Sequence, residues 1–218
     1  MKEKTTQIIF SPDNEPYLGE LMLYQLDNMI VCFSEKNSLI ARYTIKNKDS
    51  LTSIEQAGCS LIPAAFSLIL AIRELLRQGY LYGAAVLLRP VVERVAIISY
   101  LCDKPESLSI WQNGWVYKER PTFSQLIDNM GKNSPQTGKH ELIKMLHSLV
   151  HGGEDSLSFG AVKDDLGSFG FSSGKVTDNP AKCNDIALLA CMMLIVLLAR
   201  RTQVFPDFEE KFPSEPPS

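Results

Sequence analysis

The stretch that decides the fold spans residues 80–102 and reads YLYGAAVLLRPVVERVAIISYLC. It is apolar on nearly every side of a helical wheel, and its only charges are Arg89, Glu93 and Arg94. A helix that is apolar all round is a buried helix. The preceding stretch, residues 53–78, has the same character. These two helices are therefore predicted to form the centre of an all-α protein.

Capping patterns, glycine stops and apolar spacing predict further helices around this central pair. Thr52–Glu55 and Thr122–Gln125 both have the spacing of a capping box. An amphipathic helix is also predicted after the turn-forming residues 11–16, as a peripheral element or a dimer contact. The predicted bundle helices cover residues 53–78, 80–102, 123–130, 135–150 and 180–201.

The chain has 218 residues, of which 45% are hydrophobic, so it can form one large domain with a substantial core. We expect residues 1–52 to hold the N-terminal helix and a connecting segment, residues 53–205 to form a single helical bundle domain, and residues 206–218 to form a Pro-rich flexible tail. Residues 152–179 are rich in Gly and Ser and are predicted to be a long loop, functional or mobile. The alternating pattern within this loop permits a small hairpin.

Composition narrows the class of protein. The formal net charge of −3 argues against nucleic-acid binding by charge alone, since counterion release needs clustered Lys and Arg, although residues 118–144 are mildly basic. The five cysteines include no C-x-x-C pair, which favours reduced core residues in a cytoplasmic protein. The longest uncharged apolar run, residues 186–199, is too short to cross a bilayer, so no membrane association is expected.

Arg89 and Glu93 lie four residues apart, and hence on one face of the second central helix. At least one of them should be partly buried, and a buried charge needs a partner. One interpretation is a structural ion pair beside a kink at Pro90. The other is the polar floor of a pocket. In both, Glu93 is expected to bond to Arg89 or to another cation.

Residues 144–153, KMLHSLVHGG, place His147 and His151 one helical turn apart before two glycines. At about 100° per residue, His151 points about 160° away from the apolar stripe of its own helix. One interpretation is a favourable helix C-terminus, with histidine near the dipole and Gly152 as the left-handed cap. The other is a site in which His151 turns toward Glu93, which accepts from its imidazole N–H.

Other motifs for chemistry are lacking in the sequence. It contains no H-E-x-x-H, so no metal is expected. It also contains no P-loop, no G-x-S-x-G and no G-x-G-x-x-G after a strand, so no cofactor is expected.

Two apolar helices, the second containing LLRPVVERVAIISYL, are followed downstream by a helix that ends in SLVHGG. This arrangement, over residues 53–200, resembles a group of uncharacterised bacterial all-helical proteins, which in turn look like the HEPN superfamily (higher eukaryotes and prokaryotes nucleotide-binding domain). The resemblance implies a helical bundle that often dimerises. In many members it also implies a metal-independent ribonuclease of toxin–antitoxin or phage-defence systems.

The signature of that superfamily is an Arg followed, after a short spacer, by a His. His151 matches the His, and the upstream positions at the allowed spacing hold Lys144, Met145 and Leu146. Lys144 can supply charge, but it lacks the two-pronged fork with which Arg binds phosphate.

Two functional hypotheses follow. In the first, the protein is a HEPN-like ribonuclease or a degenerate relative, with His151, His147 and Lys144 at the site and Arg89 and Glu93 supporting it. Histidine would move the 2′-hydroxyl proton, and a cation would stabilise the phosphorane. In the second, the same surface belongs to a non-catalytic interaction module, antitoxin-like or a sensor. The expected partners are RNA or a protein, and a second copy of the chain.

Overall fold

Helices make up most of the described chain. The computed structural model describes residues 15–116, 118–132, 136–153, 161–163, 169–171 and 174–206, together with Ser156 and Phe159. The helices are α1 (Leu21–Lys46), α2 (Ser53–Arg77), α3 (Leu81–Asp103), α4 (Leu108–Gln112, after a 3₁₀ turn at Pro105–Ser107), α5 (Phe123–Met130), α6 (Gln136–His151) and α7 (Pro180–Val204), and two short strands are β1 (Ala161–Lys163) and β2 (Phe169–Phe171). The all-α class is thus confirmed. The predicted tail lies outside the described residues except for Pro206.

Helix α3 lies at the centre of the bundle, as its sequence predicts. It packs along α2 and also contacts α7, α5 and α6. Its apolar residues are buried on nearly every side. Pro63 lies within α2 and Pro90 within α3, and each helix continues past its proline. Neither proline therefore ends its helix.

Helix α1 belongs to the core, which corrects the peripheral position expected for it. Phe33 is buried, and its ring centroid lies 4.7 Å from that of Phe66 in α2. The helix continues to Lys46, so it takes up most of the N-terminal stretch expected to hold a helix and a connecting segment. Near its end, the Tyr43 hydroxyl donates to Glu55 Oε1 at 2.9 Å. The core therefore runs across the boundary predicted between the N-terminal segment and the bundle.

Both predicted capping boxes are present. Thr52 accepts from the backbone N–H of Glu55, whose carboxylate accepts in return from the backbone N–H of Thr52 at 2.7 Å. Thr122 and Gln125 make the same reciprocal pair at the start of α5. Asn179 caps α7 by accepting from the backbone N–H three residues on. These bonds satisfy donors that a helix start leaves unpaired.

The connection between α6 and α7 contains a small antiparallel hairpin. Strand β1 pairs with β2, with Val162 opposite Gly170, so the hairpin that the alternating pattern permits is present. Further along, the backbone N–H of Val176 donates to Gly79 O at 2.9 Å, and the Tyr17 hydroxyl donates to Val176 O. Other parts of the predicted 152–179 loop lie outside the described residues.

Helices α2 and α7 are each long and apolar enough to cross a membrane, by length and composition alone. Helix α7 has 25 residues, so the apolar run at residues 186–199 is only its middle part. Within the protein, 39% of the most apolar window of α2 and 44% of that of α7 is buried. Core helices of soluble proteins meet the same criterion, so this finding is weak evidence for a membrane.

Candidate functional site

The C-terminal end of α6 has the geometry predicted from its glycine pair. Gly152 has a φ of +70°, in the left-handed region, and the backbone N–H of Gly153 donates to Ser148 O at 2.8 Å. This bond closes a Schellman motif, which satisfies a carbonyl that the helix end leaves unpaired. A side chain at Gly153 would collide with Ser148 Oγ. The sequence around both glycines therefore specifies where the helix stops.

The structure brings His147 and His151 together at this helix end. Their ring centroids lie 4.2 Å apart with the planes tilted by 42°. Both residues are exposed, as are Lys144 and His140 on the same helix. Within the described chain, neither His147 nor His151 has a hydrogen-bond partner. The two imidazoles thus form a solvent-facing pair.

The predicted contact between His151 and Glu93 is not formed. Tyr82, in the first turn of α3, donates through its hydroxyl to Leu149 O at 3.2 Å and so anchors the end of α6 there. Glu93 lies eleven residues beyond Tyr82 along α3, which is a distance of about 16 Å because an α-helix rises about 1.5 Å per residue. The buried Leu146 and Leu149 face the core. The turn at Gly152 brings no described element behind the ring, so His151 stays on the solvent side.

Glu93 pairs instead with a cation from outside its helix. Arg120 Nη2 donates to Glu93 Oε1 at 2.8 Å, with the Glu93 side chain 29% exposed and that of Arg120 55% exposed. Arg89 does not bond to Glu93 but places its guanidinium 3.5 Å from the centroid of the Phe123 ring. Burial lowers the pKa of Arg89, and the nearby Glu93 charge only partly opposes this effect. Arg89 and Glu93 are therefore both partly buried, and they do not pair with each other.

Arg120 also lines a cleft of about 520 Å³ beside α3 and α5. Four charged side chains of the lining are cationic and two are anionic: Lys104, Lys118, Arg120, Lys132, Glu119 and Asp128. Sequence reasoning singled out the mildly basic segment that contains three of these cations, but not the cleft. Glu93 bonds to Arg120, which lines this cleft, but neither Glu93 nor Arg89 is itself among the lining residues.

The Asp103 carboxylate, beside the cleft, accepts hydrogen bonds from three side chains. Its carboxylate accepts from Arg200 Nη1 at 2.7 Å, from Asn129 Nδ2 at 3.0 Å and from Lys132 Nζ at 3.4 Å. Burial acts to raise the pKa of Asp103, but the bonds from Arg200 and Asn129 and the nearby charges outweigh it and hold the pKa below its usual value. Asn129 is buried, and its Oδ1 has no partner in the described part of the chain. An unsatisfied buried acceptor is costly.

The aromatic residue that lines the cleft, Tyr100, packs against a residue with a strained backbone conformation, Trp115. Tyr100 lines the cleft, and its ring meets that of Trp115 edge-on with centroids 6.3 Å apart. Trp115 has a φ of +36°, which a bulky side chain rarely adopts. The Lys104 ammonium lies 4.8 Å from the centre of the Tyr100 ring. Strained backbone of this kind is often found at functional sites.

The cysteines take part in neither the histidine pair nor the cleft. All five are free thiols. Burial raises the pKa of Cys102 to about 11 and that of Cys183 to about 12. These two thiols are therefore poor nucleophiles at neutral pH. No group of His, Cys, Asp and Glu side chains in the described residues has the arrangement to hold a metal ion.

Comparisons with protein-family models, with curated proteins and with solved structures find no match to this chain. The relationship to the HEPN superfamily is therefore carried by the residues alone and stays a prediction.

Proposed function

We propose that this protein is a degenerate HEPN-like relative that binds single-stranded RNA in the cleft lined by Arg120 and does not cleave it. The observation that carries this proposal is that the cleft lining holds four cations and two carboxylates. Arg120 and Lys132 bond to Glu93 and Asp103, whereas Lys104 and Lys118 bond to no carboxylate within the described residues. A protein of this kind would serve as a non-catalytic RNA-binding or sensor component of a defence or toxin–antitoxin system in the cytoplasm, as the resemblance implies.

The lining offers complementary groups for a nucleotide. Lys118 is exposed and bonds to no carboxylate within the described chain, so its charge is available to a phosphate. Arg120 uses one terminal nitrogen for Glu93 and keeps further N–H donors. Tyr100 supplies an aromatic ring, on which bases can stack. The volume of about 520 Å³ lies in the range of small-molecule sites.

We expect no cleavage because of the arrangement of His147 and His151 at the C-terminal end of α6. General acid–base catalysis needs a base that lies within reach of its proton and is held in orientation. Neither His147 nor His151 is oriented by a carboxylate within the described residues. The positions at which the HEPN signature has its Arg are occupied by Lys144, Met145 and Leu146 in this chain.

The test is fluorescence anisotropy with a labelled single-stranded RNA oligomer over a salt series. About three phosphate contacts should give a slope of roughly −2 in log affinity against log salt. Lys118→Ala should weaken binding equally for different sequences and make the slope shallower by about 1. Lys48→Ala, which removes an exposed lysine outside the cleft, is the matched control and should change neither. Equal binding by both variants would refute the cleft as the RNA site.

A second candidate function is metal-independent ribonuclease activity at the histidine pair. The ring separation of 4.2 Å favours it, because two adjacent imidazoles can divide the roles of acid and base. RNA should then be cleaved in EDTA as well as in magnesium, and His151→Ala should abolish cleavage while His140→Ala does not. Intact RNA after incubation with the wild-type protein under both conditions would reject this candidate.

A further inference from the structure

Helices α5, α6 and α7 enclose an apolar groove with a volume of about 560 Å³. The α7 side of its lining lies between residues 189 and 196, and Met130 of α5 and Leu142 of α6 line it from the other two helices. The volume lies in the range of small-molecule sites, about 300–1,000 Å³. Among the described residues, this groove shares no lining residue with the cationic cleft beside α3 and α5. It is therefore a separate candidate site.

The one charged side chain in the described lining of this groove is Lys139, in the first turn of α6. Its aliphatic stem passes over the end of α5, since a Cβ at Gly131 would lie 2.9 Å from Lys139 Cε. Lys139 is partly buried, and it bonds to no carboxylate within the described residues. A partly buried cation is stabilised by an anionic partner, so the Lys139 ammonium is available to the charged group of a ligand.

The start of α6 adds to the positive potential around Lys139. The dipole of a helix is positive at its N-terminus, where the first backbone N–H groups have no partner within the helix. Gly138, beside Lys139, also lines the groove, and a Cβ there would meet no atom within 4 Å. The backbone is therefore open to a ligand at this point. The lysine and the helix start together favour an anionic group here, whereas the rest of the lining favours hydrocarbon.

We propose that this groove binds a medium-chain fatty acid, with the carboxylate on Lys139 and the alkyl chain between α7 and the other two helices. A mostly apolar pocket with a single polar group that fixes orientation is typical of a small-molecule site. Met130, Met192 and Met193 all line the groove, and the flexible methionine side chain adapts to the shape of an alkyl chain. A fatty acid supplies the anion and the apolar body in one molecule. This inference does not depend on RNA binding or on catalysis.

The extent of the groove along α7 sets the length of the alkyl chain. Residues 189 and 196 are seven positions apart, which is about 10 Å because an α-helix rises about 1.5 Å per residue. Carbon–carbon bonds of about 1.5 Å at near-tetrahedral angles advance an extended chain by about 1.25 Å per carbon, so roughly eight to ten carbons fill this length. Octanoate and decanoate therefore match the groove, and longer acids would leave carbons in water.

A free fatty acid fits the groove better than the surface of a bilayer does. Helices that lie on a bilayer carry Lys and Arg along the side that faces water. The opposite side of α7 is instead packed against α1, α2 and α3 in the core. The apolar lining is also recessed between three helices, where a single alkyl chain can enter and a flat lipid surface cannot.

Isothermal titration calorimetry of the full chain with a series of fatty acids tests the proposal. Decanoate should bind with a Kd in the micromolar range, and each methylene removed from the chain should weaken binding about fourfold. Decanol, which lacks the carboxylate, should bind roughly tenfold more weakly than decanoate. Absence of decanoate binding up to about 1 mM, or equal binding of decanoate and decanol, would overturn the proposal.

Two substitutions with matched controls test the two parts of the site. Lys139→Met keeps the apolar stem but removes the charge, so it should weaken decanoate binding roughly tenfold and leave decanol binding unchanged, whereas Lys48→Met at an exposed turn should change neither. Met192→Glu places a carboxylate in the groove and should abolish decanoate binding. Leu188→Glu, at a similarly exposed position of α7 outside the lining, should leave it intact. Equal decanoate binding by either variant and its control would overturn the proposal.

Nuclear magnetic resonance of isotope-labelled methionine methyl groups locates the ligand without any substitution. Decanoate should shift the methyl signals of Met130, Met192 and Met193, and should leave those of Met22 and Met29 on α1 in place. Unchanged signals from all three groove methionines would overturn the proposal. Wild-type protein that co-sediments with phosphatidylcholine–phosphatidylserine vesicles but does not bind free decanoate would overturn it too, and would assign the groove to a lipid surface.

Discussion

Replacing Asp103 by Asn should destabilise the protein by about 1–2 kcal/mol at neutral pH. Asp103 binds both terminal nitrogens of Arg200, at 2.7 and 3.3 Å, and accepts from Asn129 at 3.0 Å. Asparagine keeps the shape of the side chain but removes the charge. A hydrogen bond to a charged group contributes about 1.5–3 kcal/mol. Solvent reduces that value here, since the Asp103 and Arg200 side chains are 22% and 17% exposed.

The loss should depend on pH, and the sign follows from the direction of the pKa shift. Burial alone would raise the pKa of Asp103, but the Arg200 and Asn129 bonds outweigh it and lower the pKa in the folded protein. A lowered folded-state pKa means that the carboxylate stabilises the fold at pH values above the unfolded pKa, about 3.9. That contribution is lost as the pH falls through the folded-state pKa. The difference between wild type and Asp103→Asn should therefore vanish in acid.

Thermal unfolding followed by circular dichroism measures both effects. For a chain of this size, each kcal/mol shifts the melting temperature by about 2–4 °C, so Asp103→Asn should melt about 2–8 °C below the wild type at pH 7. Asp49→Asn, in an exposed turn, is the matched control and should leave the melting temperature unchanged. Equal melting of wild type and Asp103→Asn at pH 7, or a difference that does not shrink as the pH is lowered below the unfolded-state pKa, would refute the reasoning.

Four further substitutions test the packing and the helix ends. Glu93→Ala should lower the free energy of unfolding by no more than about 1 kcal/mol, because Arg120 is more than half exposed and regains water; a loss near 3 kcal/mol in a urea titration would contradict this. Gly152→Ala should lower the free energy of unfolding by about 1 kcal/mol, because Gly152 has a φ of +70°, which alanine rarely adopts. Gly138→Ala should raise the free energy of unfolding by up to about 1 kcal/mol, because alanine favours a helix more than glycine does and the new methyl group has open space around it. Their melting temperatures should shift in opposite directions. Gly58→Ala should cost about 1–3 kcal/mol, since its methyl group would collide with the end of α7; calorimetry identical to wild type would argue against that close approach.

The candidate site could be predicted only in part from the sequence. The isolation of Glu93 in an apolar helix correctly indicated that it bonds to a cation. The identity of that cation, Arg120, could not be read from the sequence, because it lies 27 positions away in a segment without periodicity. His151 shows the opposite case. Its wheel position placed it on the far side of the helix, and the expected inward turn was wrong because no described element packs behind Gly152.

Packing of α1 was likewise beyond the sequence pattern. Its spacing of apolar residues indicates one buried face, but many positions around a bundle would bury that face equally well. Its position is set by packing against α7 and α2, which includes the contact between Phe33 and Phe66 and joins residues on separate helices.

The sequence by itself determined the all-α class, the central place of α3 and the helix ends. The capping bonds of Thr52 with Glu55 and the left-handed turn at Gly152 join atoms within about one helical turn, so the backbone brings them together wherever the helix lies. A helix that is apolar on every side also has only one stable location. The tertiary structure alone decided which distant groups meet, as Asp103 meets Arg200 97 positions away. Such pairs depend on the crossing and register of whole helices, and those are set by the packing of all the apolar faces together.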